Sequence, residues 1–95
     1  MSQPFMDETE AEILNIYPVP TSVILNIELD FTQSTKVPRS LVIRNALGQI
    51  IEQVVINSTQ QFLSLNTSNW AAGMYTAQLM GDSGSLKTEK IEIIH

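Results

Sequence analysis

Short runs of alternating apolar and polar residues follow one another down the chain. Turn-forming residues punctuate them about every ten residues. No stretch carries the 3.6-residue apolar period of an amphipathic helix. These three observations predict an all-β chain, folded as an immunoglobulin-like antiparallel β-sandwich of about seven strands.

Residues 1–12 are polar, with Asp7, Glu8, Glu10 and Glu12, and read as a linker or ragged end. The spacing of these acids lacks the D-x-D-x-D-G order that wraps a loop around calcium. The β pattern begins at Ile13 and runs to Tyr17. Pro18-Val19-Pro20 stops it, because proline lacks an N–H and pushes its predecessor extended. A stiff, extended crossing or a proline-bearing edge is expected there. From Val23 to Phe31, Leu25, Ile27, Leu29 and Phe31 point one way, and Asn26, Glu28 and Asp30 the other.

Ser40–Ala46 and Ile50–Asn57 read as the next two strands. Ala46-Leu47-Gly48-Gln49 lies between them, and its late glycine suits a type I turn with a G1 bulge. Gln61–Leu65 is a fifth strand. The polar run from Asn66 to Asn69 breaks it, and Trp70 follows inside the connector. A connector with its own tryptophan is expected to fold down over a core edge. Gly73 suits a backbone that needs a positive φ or a close approach. Tyr75, Ala77 and Leu79 then alternate with Met74, Thr76 and Gln78. A tyrosine here is placed to hydrogen-bond back to the backbone, as in a tyrosine corner. Asp82-Ser83-Gly84-Ser85 is a hairpin turn. In the last strand, Leu86–Ile94, Ile91 and Ile93 face in while Lys90 and Glu92 face out.

Ninety-five residues make one domain. A chain this short buries roughly 60–65% of its unfolded surface, enough for one small core. Without cysteine there is no disulfide and no thiolate metal site. Ten acidic residues against five basic ones, a net charge of −5, argue against nucleic acid or an anionic membrane as the main partner. No run approaches the ~18 apolar residues of a membrane span. The first residues lack the apolar core of a secretory signal. The single histidine is His95, at the end of the sequence, where a catalytic base would lack a fixed orientation. No G-x-S-x-G or S-x-x-K pattern appears. No enzyme and no cofactor is implied. A tryptophan and tyrosine forming an exposed sugar platform would instead signal an adhesion or carbohydrate-binding module, and that reading stays open at this point.

Several motifs occur in a fixed order. Ile16-Tyr17-Pro18-Val19-Pro20 resembles the Y-P-N-P opening of the type IX secretion C-terminal sorting domains, type A, of Bacteroidota. Asn45-Ala46-Leu47-Gly48-Gln49 resembles the family's central turn, with Gln49 where arginine is commonest. Leu63-Ser64-Leu65 followed by Trp70-Ala71-Ala72-Gly73-Met74-Tyr75 resembles its L-x-L … L-P-A-G-x-Y block. The last strand, with Lys87 and Lys90, resembles its basic-flanked ending. The resemblance covers residues 13–95.

It implies a recognition element carried behind an N-terminal cargo domain. The expected partners are the type IX translocon and its outer-membrane shuttle protein, then a surface sortase that removes the domain. The expected route is through the periplasm to the cell surface or outside. Tyr17, Pro18, Pro20, Gly48, Gln49, Trp70, Gly73, Tyr75, Lys87 and Lys90 are the expected recognition or structural motif residues. Arg44 joins Lys87 and Lys90 as local positive charge, and the last strand and the Gly48 turn are expected contact elements. An edge-paired or strand-swapped dimer is also possible, because sandwich edges are open.

Overall fold

The computed structural model describes residues 12–95. The expectations for Asp7, Glu8 and Glu10 lie outside the described residues. Seven strands follow in order: β1 Ile13–Tyr17, β2 Ile24–Asp30, β3 Ser40–Asn45, β4 Ile50–Val55, β5 Gln60–Asn66, β6 Gly73–Gly81 and β7 Gly84–Ile93. All ladders are antiparallel. One sheet has the order β1-β2-β5 and the other β4-β3-β6-β7. This is the expected all-β sandwich.

The core lies where alternation places it. Leu25, Ile27, Leu29 and Phe31 leave one face of β2 and are fully covered. Leu41 and Ile43 of β3, Ala77 and Leu79 of β6, and Ile91 and Ile93 of β7 meet them from the other sheet. Each of the Leu, Ile and Phe side chains contributes about 1.5–3 kcal/mol by leaving water. The two faces turned outward keep their polar residues, as at Asn26 with Ser64 and Arg44 with Gln78.

The two sheets are also stitched by backbone. Thr21 forms a parallel bridge with Ile93: its N–H donates to the Glu92 carbonyl at 3.0 Å, and its carbonyl accepts from Ile94 N–H at 2.8 Å. An extended crossing is not what precedes it. The chain bends through Pro18, Val19 and Pro20, and the Tyr17–Pro18 and Val19–Pro20 bonds are both cis. The chain passes from the first sheet to the edge of the second between Tyr17 and Thr21. Glu12 is fastened at the opposite end. It pairs with Lys36 at 3.1 Å and accepts from Ser34 Oγ at 3.0 Å.

Candidate functional site

The strand registers bring three of the motifs to one end of the sandwich. Tyr17 pairs with Asn26, and Ile24 with Asn66, at that end of the first sheet. Asn45 pairs with Tyr75, and Gly73 with Ile93, at the same end of the second. The Thr21–Ile93 bridge ties the two together. The proline crossing, the Gly48 turn and the Trp70 corner are therefore neighbours, and the end of β7 runs between them. We call this end the pole.

Each piece of the pole has a local cause. Asn45 Oδ1 accepts from Leu47 N–H and Gln49 N–H, and Gly48 N–H donates to the Asn45 carbonyl at 2.9 Å. An asparagine that mimics the turn backbone and a glycine at φ +86° close this hairpin. Gln49 is held inside it, its Oε1 accepting from Asn45 Nδ2 at 2.8 Å.

The Trp70 corner is fixed by Tyr75. The Tyr75 hydroxyl donates to the Ala71 carbonyl at 2.6 Å, four residues upstream. That bond has the form of a tyrosine corner. Trp70 is half-buried against the core, its ring 5.2 Å from that of Tyr75 and tilted by 37°. Trp70 thus covers the core edge, as expected. Gly73 sits at φ +148°, a conformation open to glycine and strained for other residues.

Some contributors carried no signal in the linear pattern. His95 Nε2 donates to the Trp70 carbonyl at 2.6 Å. Thr21 is buried, and its hydroxyl donates to the Ile24 carbonyl. Thr67 is fully buried, and its hydroxyl has no partner among the described residues. Only the position of Thr21 straight after the prolines, and of Thr67 inside a polar run, hinted at turns.

The two lysines do not go together. Lys90 stands beside Thr76, which in turn pairs with Arg44, so Arg44 and Lys90 flank Thr76 on the outer face near the pole. Lys87 pairs with Leu79, toward the other end. Its charge acts on Glu12: burial pushes the Glu12 carboxyl up, and hydrogen bonds from Lys36 and Ser34 with the charges of Lys36 and Lys87 outweigh that, so its pKa lies below the ordinary value. Arg39 and Asp82, 3.0 Å apart, add a second ion pair at that far end.

The loops of the pole, residues 18–23, 46–49 and 67–72, contain no Asp, Glu, Lys or Arg. They do expose apolar side chains. Val19, Val23 and Leu47 stand in water beside Tyr17, Ile24, Ile50 and Met74 of the adjoining strand ends, and Leu47 is 84% exposed. Between them lie an open cleft of about 530 Å³ along Pro18, Pro20, Val23, Ile24 and Ile94, and one of about 160 Å³ between Leu47 and the Ala71–Tyr75 corner. Such an end can bind by apolar contact and by its loop backbone, with His95 and Glu92 as the titratable groups at its border.

Compared with known protein families, residues 15–94 match the one described as the secretion system C-terminal sorting domain. The chain belongs to this family, the type IX sorting domains. The match takes in β1 from Asn15 and every later strand. A sorting domain is not a catalytic family. No curated protein matches the chain.

Proposed function

We propose that this sorting domain is read at its pole. The observation that carries the reading is the convergence of the proline crossing, the Gly48 turn and the Trp70 corner on one end whose loops are uncharged and expose apolar side chains. A net-acidic chain that keeps the loops of one end free of charge has a surface there suited to an apolar partner. In this reading Tyr17, Pro18, Pro20 and Leu47 touch the export machinery. Gly48, Gln49, Trp70, Gly73 and Tyr75 hold the shape that is touched. Lys90 and Arg44 border the surface, and Lys87 serves the far end.

The attached cargo then crosses the periplasm and leaves through the type IX translocon, delivered to a shuttle protein and a sortase at the surface. Removal by the sortase falls within residues 1–12, before the first strand. The sugar-binding alternative draws no support from Trp70, which is half-buried and packs on Tyr75 and the core.

The test is export of a passenger. A reporter with a Sec signal, fused ahead of the whole chain, is expected on the surface of a bacterium with a type IX system. Retention in the periplasm, while an established sorting domain carries the same reporter out, refutes the function.

A further inference from the structure

Among the described residues the two sheets end in four edge strands, and three of them are blunted. β1 is short and ends at Pro18. β7 carries Lys87, Glu89, Lys90 and Glu92, and Thr21 already occupies its backbone at Glu92 and Ile94. β5 is uncharged, but what it shows to water is mainly Gln60, Ser64 and Asn66, with Phe62 the one large apolar side chain. Short strands, edge charges and covering segments are the usual guards against strand addition.

β4 is the least guarded of the four: no described segment covers it, and a single charge and the irregularity opposite Ile43/Arg44 are its only breaks. It carries no proline, and Glu52 is its single charge. No residue of β4 is fully buried, and Ile50, Ile51 and Val55 are exposed, Val55 by 67%. Its residues are those that favour strand pairing. The backbone phase is set by Ile56, whose N–H donates to the Arg39 carbonyl at 2.8 Å. Counting back by twos, Val54 and Glu52 share their backbone groups with β3. Gln53 and Val55 turn theirs to solvent.

We propose that β4 is a homodimerisation edge, where two copies of this chain pair β4 with β4, antiparallel, with Gln53 on the two-fold axis. This register uses the outward backbone groups of Gln53 and Val55. It also keeps each outer-face residue opposite another outer-face residue, since Ile51 meets Val55 and Gln53 meets Gln53. It overlaps the whole strand, whereas a two-fold at Val55 leaves half of it unpaired. The self-complementary register fits a second copy as the occupant. Glu52 faces Val54 of the second copy and not its own counterpart, so a chain of net charge −5 pairs without like charges opposed. The inference does not rest on the sorting role, and the pole stays free at the strand ends.

Sedimentation equilibrium of the whole chain tests it. Self-association is expected, with Kd at or below about 1 mM. Gln53→Lys and Gln53→Glu each place like charges on the axis and are expected to weaken it at least tenfold, with unchanged urea midpoints for the monomer. Mixing the two variants is expected to restore association as a heterodimer. Phe62→Lys, on the β5 edge, is expected to leave it intact. A chain that stays monomeric up to about 1 mM overturns the assignment. So does a dimer that survives Gln53→Lys, one lost with Phe62→Lys, or a mixture that stays monomeric.

Discussion

Tyr75 fills core space with its ring and closes the corner with its hydroxyl. The hydrogen bond from the phenol to the Ala71 carbonyl is partly buried, so losing it removes the tie that closes the corner. Tyr75→Phe keeps the ring and is expected to cost about 1 kcal/mol, read from the urea midpoint. An unchanged midpoint contradicts the lock. Thr67 is the opposite case. Its hydroxyl is buried without a partner among the described residues, and Val has nearly the same shape. Thr67→Val removes the desolvated group and is expected to raise stability by about 1 kcal/mol. A lower melting temperature would show that the hydroxyl has a use.

Glu12 supplies the pH dependence. Its pKa lies below the ordinary 4.5 in the folded chain, so folding favours the ionised form. Its contribution is fully present above the unfolded pKa and is lost as the pH falls through the folded one. Glu12→Gln is expected to lower stability at pH 7 by less than about 1 kcal/mol and to flatten the acid limb. Parallel acid limbs for the two proteins would contradict the ion pair's role.

At the scale of the element, Gly73 isolates backbone strain. A Cβ there meets nothing within 4 Å, so any cost comes from φ +148° alone. Gly73→Ala is expected to cost about 1–3 kcal/mol by thermal melting. No change would mean that the start of β6 relaxes freely. The strands themselves were legible before the structure. Alternation placed Leu25, Ile27, Leu29 and Phe31 on one face, and the observed β2, Ile24–Asp30, lies within the expected Val23–Phe31.

What joins the strands was less legible. Thr21 bridges Ile93 because the edges of β1 and β7 lie on the same flank of the sandwich, and no local pattern encodes that neighbourhood. The convergence of the motifs on the pole has the same origin, since it follows from register between strands far apart in sequence. The separation of Lys87 from Lys90 was readable in principle. They are three positions apart in one strand, and a period of two sends such residues to opposite faces.

Across the whole molecule, charge and motif are segregated. The ion pairs Glu12–Lys36 and Arg39–Asp82 sit at the far end, and the pole loops are uncharged. A partner that binds the pole by apolar contact should bind nearly as well at high salt, because screening acts on charge pairs. The most direct measurement is the surface fraction of an exported reporter fused to two single variants. Leu47→Asp puts a charge in the middle of the pole, at a turn position that tolerates aspartate. Ser83→Asp puts the same charge on the exposed hairpin at the far end. With both variants folded, Leu47→Asp is expected to hold the reporter in the periplasm and Ser83→Asp to reach the surface like the unaltered chain. Equal export of the two, or loss with Ser83→Asp alone, would contradict recognition at the pole.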